Sequence, residues 1–194
     1  MARHFCWLSA VGAVPLLLAS MVCAQDEMCE NPYYKFWAAS KPGATAVHLE
    51  HTKLGGPEGK LVPGGVDEKR IAYKLVEIDK DRAIVEMVVT EQDFLGYVQA
   101  APTRYIYPAK WKKSYVEQLL SEDGTKIGEE TIQVAGKQLA CKTVSGTLKG
   151  PNGEQIEYKL WLADVPGSIA KQVRTTRQKG ELVAETTSTL QSSK

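Results

Sequence analysis

Two periods of apolar spacing divide the chain. Between residues 31 and 40, "NPYYKFWAAS" sets Tyr33, Phe36 and Trp37 at the three-and-four spacing of one helical face, with Pro32 placed for a helix start. This predicts a short helix that stops before Lys41-Pro42-Gly43. From there the period is two. Residues 44 to 54 read as extended, and Gly55-Gly56-Pro57 opens what should be a long loop reaching Gly64-Gly65. Ile71, Tyr73 and Leu75 alternate with Arg70 and Lys74, and Val85, Met87 and Val89 alternate with Glu86 and Thr90, so the Asp79-Lys80-Asp81-Arg82 turn between them predicts a hairpin. "RYIYPAK", residues 104 to 110, is a further short strand. Trp111, Tyr115, Val116, Leu119 and Leu120 then return to helical spacing, with Gly124 as a stop, and predict a second helix over 111–121.

The remainder alternates as strands at about 128–134, 138–148, 154–163, 168–178 and 181–191, separated by Ala135-Gly136, Pro151-Asn152-Gly153, Val165-Pro166-Gly167 and Lys179-Gly180. Links this tight join antiparallel neighbours, because parallel strands need long crossovers. The expected fold is therefore mainly β (α+β): a single strongly curved antiparallel sheet or half-barrel of about eight strands with two short helices. Parity places Ile156, Tyr158, Leu160 and Leu162 on one face and leaves Trp161 among Gln155, Glu157 and Lys159 on the other. Pro166 cannot donate to a ladder and Gly167 is free in φ, so the break after Trp161 reads as a corner, with room for a bulge.

The N-terminus changes the picture of where this fold resides. Arg3 and His4 precede an apolar run from Phe5 to Leu18, and Val22-Cys23-Ala24 offers small residues for cleavage, so residues 1–24 read as a signal peptide and 25–194 as a single β-rich domain beginning at Gln25. Cys23 also raises a lipid anchor, but Val22 and Ser20 stand where a bacterial lipobox wants a small residue and a leucine. The expectation is an exported, periplasmic or secreted protein with no stable membrane span, since no later apolar stretch approaches about 20 residues. Removing residues 1–24 takes away one base, Arg3, and no acid, so the 24 basic and 23 acidic residues become 23 and 23. A chain near neutrality lacks the basic excess that holds nucleic acid by charge. Cys29 and Cys141 remain for an oxidising compartment, either bonded across a loop of roughly 110 residues, worth about 4.7 kcal/mol of chain entropy, or as two separate thiols.

Candidate chemistry is sparse. His48 and His51 lie three residues apart on one strand and so face opposite ways, and Ser145 and Ser168 sit in no nucleophile elbow. There is no CxxC or HExxH, a hairpin turn explains Asp79 and Asp81, and Glu129 and Glu130 point apart, so neither a metal nor a cofactor is expected and the chain reads as a non-enzyme. The glycines of "LGGPEGKLVPGG" lack the Ser or Thr and the helix of a phosphate loop. "RYIYPAKWKK" alternates bases and aromatics; it suits an interface with a partner or lipid, although a solvated strand with its aromatics packed inward accounts for it as well.

The segment "VAGKQLACKTVSGTLKGPNGEQIEYKLWLADVPGSIAKQVRTTRQKGELVAETTSTL" resembles uncharacterised exported bacterial proteins. Its Trp161, Asp164, Val165, Pro166 and Gly167, followed by Lys171, resemble a step in the sheets of the lipoprotein-carrier superfamily, the LolA-like fold. Related chains carry one more residue between the aspartate and the valine, so the turn is shorter here. The resemblance implies an incomplete barrel whose apolar concave face holds acyl chains and is partly plugged by helices. The lining would be Val85, Met87, Val89, Ile156, Tyr158, Leu160 and Leu162, with Phe36, Trp37, Leu119 and Leu120 on the plugging helices. The expected function is binding of a hydrophobic ligand, a lipid or lipid-modified protein. The alternative is an envelope structural or protein-interaction module with a filled core, using an outer face around Trp161, Lys159 and Arg174.

Overall fold

The computed structural model describes residues 28–56, 61–93, 96–112, 125–150 and 152–194. The proposed signal peptide and residues 113–121 of the expected second helix lie outside them. Among the described residues the elements are β1 (Met28–Glu30), α1 (Pro32–Ala38), β2 (Thr45–Gly55), β3 (Leu61–Ile78), β4 (Arg82–Asp93), β5 (Gly96–Gln99) and β6 (Thr103–Pro108). They continue as β7 (Lys110–Lys112), β8 (Lys126–Val134), β9 (Lys137–Lys149), β10 (Gln155–Leu162), β11 (Ile169–Gln178) and β12 (Glu181–Ser193).

Ten strands form one antiparallel sheet in the order β5-β4-β3-β2-β12-β11-β10-β9-β8, with β6 also paired to β4, and β1 and β7 form a separate two-stranded sheet. The mainly β, antiparallel class is as expected; the details are corrected. There are twelve described strands rather than about eight and two sheets rather than one, and no ladder joins β8 to the far edge, so the large sheet is open. Trp111 and Lys112 belong to β7 instead of opening a helix, because β1 is there to pair with them. Leu61 onward belongs to β3, so the expected loop to Gly64-Gly65 is shorter: β2 pairs as far as Gly55↔Leu61. Gly55 itself passes so close to β12 that a Cβ would run into the Leu182 carbonyl.

Local chemistry explains the hairpins. Asp79 accepts from the Asp81 and Arg82 amides (2.7 and 2.9 Å), closing the turn into β4. Ala135-Gly136 and Lys179-Gly180 take positive φ at both positions, the twist that two-residue hairpins require. The corner after Trp161 does carry a bulge: Trp161 pairs with Lys171 but Leu162 pairs with Ile169, so Ala170 and Lys171 together face the one tryptophan.

Helix α1 is fixed at its start. Asn31, fully buried, caps it by accepting from the Tyr33 amide (2.9 Å) and donates through Nδ2 to the Pro108 carbonyl (2.7 Å), while its own amide reaches the Ala109 carbonyl (2.9 Å). Pro32 follows as the first helical residue. The helix thereby packs across β3, β4 and β6 and buries Phe36 and Trp37 on one face of the large sheet, called the inner face below. A core forms under it from Leu75, Val85, Val144, Tyr158, Leu160 and their neighbours. A smaller cluster on the outer face joins Val134, Cys141, Trp161 and Ala170.

Candidate functional site

The ladder registers show which side chains share the inner face. Ala46, His48 and Glu50 on β2 lie level with Tyr73, Ile71 and Lys69 on β3, which lie level with Met87, Val89 and Glu91 on β4. On the other side of β2 come Leu190 and Ser188 of β12, Gln172 and Arg174 of β11, and then Leu160 and Tyr158 of β10. The flanks are apolar at Ile71, Met87, Val89, Tyr158 and Leu160, but the row through Glu50 continues on β3 and β4 as Lys69 and Glu91, ion-paired at 3.0 Å. The middle is polar: Glu50, Ser188 and Gln172 form one row across three strands, and Thr52, Thr186 and Arg174 form the next, with Thr52 and Thr186 hydroxyls 3.1 Å apart.

Two hollows adjoin this strip. One, of about 70 Å³, has His48, Glu50, Gln172, Arg174 and Ser188 in its floor and Tyr33, Phe36 and Trp37 of α1 as its roof. The other is an open groove of about 400 Å³ between the end of α1, the Lys41–Ala44 turn, Asp164–Pro166 and Lys194. Phe36 and Pro166 belong to both, so they form the wall between them. Here the break in the strand finds its reason. Gly167, at φ +73°, lies so close to Trp37 that an added Cβ would sit 3.1 Å from the indole, and Ser168 donates from Oγ to the Phe36 carbonyl at 3.3 Å. Only a turn without a side chain at that point lets the corner press against the helix.

Burial sets the electrostatics of the floor. His48 is pulled down to about 4 by desolvation, which disfavours its cation, and its ring meets Tyr73 edge-on at 5.8 Å. Glu50 is raised by the same burial, partly offset by Arg174 and Lys69. Tyr73 is pushed well above the ordinary tyrosine range, again chiefly by burial and then by Glu50. Ser188 Oγ lies 3.5 Å from His48 Nδ1, longer than the roughly 2.6–3.2 Å of an engaged nucleophile and base. The strip is therefore suited to recognising polar groups by hydrogen bonds and charge. Among the described residues no three His, Cys, Asp or Glu side chains gather as a metal site, and no helix is long and apolar enough to cross a membrane.

The seven residues expected to line a cavity all face inward, but neither hollow is lined by any of them. Val85, Met87, Tyr158, Leu160 and Leu162 are buried in packed side chains, and Val89 and Ile156 are half-buried. Gly146, opposite Tyr158, leaves the notch into which that ring fits, its hydroxyl 2.8 Å from where a Cβ would be. Cys29, beside Trp111, and Cys141, in the outer cluster, are both buried and are not bonded to each other; they occupy different sheets. His48 and His51 do part, the first inward and the second toward Glu68 at 3.4 Å.

On the outer face Trp161 is buried, as its parity among polar neighbours allowed. Its Nε1 donates to Glu130 at 2.7 Å, and Lys159 and Lys171 lie 4.7 and 5.1 Å from its ring centre. Hydrogen bonds from Lys159 and then Trp161 hold the Glu130 carboxyl below the usual range. Arg174 is not part of that face: it pairs with Tyr158 and turns inward. In "RYIYPAKWKK" the described bases are exposed and the aromatics turn in, Tyr33 stacking on Tyr107 at 5.0 Å and meeting Trp111 at 5.5 Å. The polar strip escaped the sequence reading because it needs β12 beside β2. Its trace was there in β11, where neither parity of "IAKQVRTTRQ" is consistently apolar.

No protein-family model matches the chain, and no curated protein matches it.

Proposed function

We propose that this is an exported, non-enzymatic protein, periplasmic or secreted, that binds a hydrophobic, lipid-like ligand on the inner face of its sheet, with α1 as the plug. The observation that carries this reading is the groove of about 400 Å³ that shares Phe36 and Pro166 with the polar hollow beside it. That volume lies in the range of small-molecule sites, which run from about 300 to 1,000 Å³, whereas the hollow is the size of a subsite. The helix has seven residues, about 10 Å of length, against a sheet whose nine successively paired strands span nearly 40 Å. So small a plug can shift without unfolding the sheet, and the apolar residues it covers, among them Val85 and Leu160, would then become the lining.

A strongly curved sheet is part of this proposal. β8 and β12 stand four places apart in the strand order, roughly 19 Å if the sheet were flat, yet Cα atoms of the two come within 8 Å. That approach supports a rolled C-terminal half of the kind the carrier resemblance implies.

The test uses the full mature chain and a fluorescent fatty acid, cis-parinaric acid, with native mass spectrometry of freshly purified material. The expected result is saturable binding, weakened at least tenfold when Ala44→Trp fills the groove. Absence of both a bound lipid mass and saturable probe binding would refute the reading. The competing assignment, an envelope interaction module, draws on one observation: Tyr97, Val98 and Ile106 are 72, 54 and 61% exposed at the β5 and β6 margin of the sheet. Envelope pull-downs with Ile106→Lys test it, and an unchanged set of captured proteins removes that margin.

A further inference from the structure

We infer that the margin formed by β6, β7 and β1 docks on the surface of an anionic lipid bilayer, its exposed apolar side chains entering the headgroup layer and its lysines meeting the phosphates. The inference goes beyond the ligand proposal and does not depend on it, because no outward side chain of this margin lines either hollow.

The margin is built on alternation. Tyr105 and Tyr107 stack on each other at 6.1 Å, and Tyr107 and Trp111 both meet Tyr33 of α1, at 5.0 and 5.5 Å, so the odd positions turn toward the helix. The even positions turn away: Arg104, Ile106, Lys110 and Lys112 are exposed, Ile106 by 61%. At the rise of an extended strand they make a row about 26 Å long. Met28 stands level with Lys112 and is 51% exposed; Tyr97, 72% exposed, pairs with Gln92, on the same side of β4 as Glu86 and Arg104.

From Gly96 to Lys112 the sequence has three bases and no acid, in a chain whose totals are 24 and 23. The carboxylates level with the row are engaged, Glu86 by Arg104 at 3.3 Å and Glu30 by Lys35 at 3.2 Å. Among the described residues Lys110 and Lys112 enter no ion pair, so their charge faces solvent. Apolar side chains beside unpaired lysines complement a surface that is anionic outside and apolar just beneath. The near-neutral chain as a whole cannot be held there by charge alone, and Ile106, Met28 and Tyr97 supply the apolar share. A strand from a partner protein is a poorer fit. Pro108 has no amide hydrogen and its carbonyl already accepts from Asn31 Nδ2 at 2.7 Å, which blunts the open edge of β6 against pairing.

The experiment is co-sedimentation of the full mature chain with vesicles of phosphatidylcholine, alone or with about 30 mol % phosphatidylglycerol, at about 0.1 and 0.5 M salt, the higher of which shortens the reach of surface charge. Binding should be at least about tenfold tighter to the anionic vesicles at the lower salt. Lys110→Gln with Lys112→Gln should weaken it roughly thirtyfold, from about 1 kcal/mol for each base near such a surface. Ile106→Ser should weaken it at both salt concentrations, because the apolar anchor is not screened. Lys137→Gln with Lys179→Gln removes the same charge from two exposed hairpin turns and should leave binding as it was. All of these side chains are exposed, and circular dichroism checks that each variant is folded. Equal affinity for the two vesicle compositions would overturn the inference. So would equal losses in the two lysine pairs, which would show that only net charge matters. Failure to bind either vesicle, with capture of an envelope protein that depends on Ile106, would overturn it and give the margin to a protein partner. The fatty-acid titration of the groove is a separate measurement, so surface docking and ligand binding fail independently.

Discussion

Acidification should destabilise this protein through one histidine, and the size of the effect can be worked out. His48 lies in the floor of the inner hollow, facing Glu50 on its own strand, Tyr73 on β3, Arg174 on β11 and Ser188 on β12, under Tyr33 and Trp37 of α1. Burial holds it at about 4 against an ordinary 6.5. The unfolded chain thus takes up a proton in a pH range where the folded one does not. The sign follows: stability is complete above 6.5, is lost progressively as the pH falls, and the loss levels off below about 4. Followed to the acid end the difference is about 3 kcal/mol, of which about 2 kcal/mol falls between pH 7.5 and 5. Glu50 acts in the opposite sense, since burial raises it and protonation favours the folded form, so the wild-type curve alone mixes the two. The informative quantity is a difference. Urea unfolding at pH 7.5 and 5.0, for wild type and His48→Gln, should show the wild type losing about 2 kcal/mol more than the variant. Equal losses in the two proteins would show that His48 is hydrated in solution and would refute the account of the floor as a dry, packed surface.

Four further outcomes follow from particular contacts. Asn31→Ala removes the cap of α1 and leaves the Pro108 carbonyl without its donor, so chemical denaturation should report a loss of about 1–3 kcal/mol. Gly167→Ala places a methyl against Trp37 at a positive φ; a loss of about 1–2 kcal/mol is expected, together with a shift in tryptophan emission. Lys179→Asn should stabilise by about 0.5–1 kcal/mol in thermal melts, because asparagine tolerates the φ of +52° that precedes Gly180. Trp161→Ala uncovers the outer cluster, so maleimide labelling mapped to the Cys141 peptide should speed up at least tenfold, while an unchanged rate would mean the indole does not shield that thiol.

How far the fold could be read in advance varied with the distance over which each contact acts. The hairpins β3–β4, β8–β9 and β11–β12 were legible because turn chemistry is local: Asp79, Ala135-Gly136 and Lys179-Gly180 each act within a few residues. Helix α1 was legible from Tyr33, Phe36 and Trp37, and the position of Trp161 from parity. The β1–β7 pair was not, since three residues on each side carry no period and Trp111 fits helical spacing equally well. The residues expected to line a cavity lie on the inner face, where Val85, Tyr158, Leu160 and Leu162 pack with one another and with α1. An alternating apolar set states which side is dry, and whether that side meets a cavity or another side chain depends on what lies across from it.

From its residue order alone, then, this chain determined an antiparallel β-protein with a short aromatic helix, a corner after Trp161 and an inward set of apolar side chains. These depend on backbone propensity and on a period of two, which act between near neighbours. Only the tertiary structure decided that β12 lies beside β2, joining Thr52 to Thr186 across 134 positions of sequence. That single pairing brings Glu50, Ser188 and Arg174 onto one floor, and the corner at Gly167 then closes against Trp37 to wall it off. Strand alternation specifies faces but not neighbours, so a site assembled from strands distant in sequence exists only once the sheet has formed.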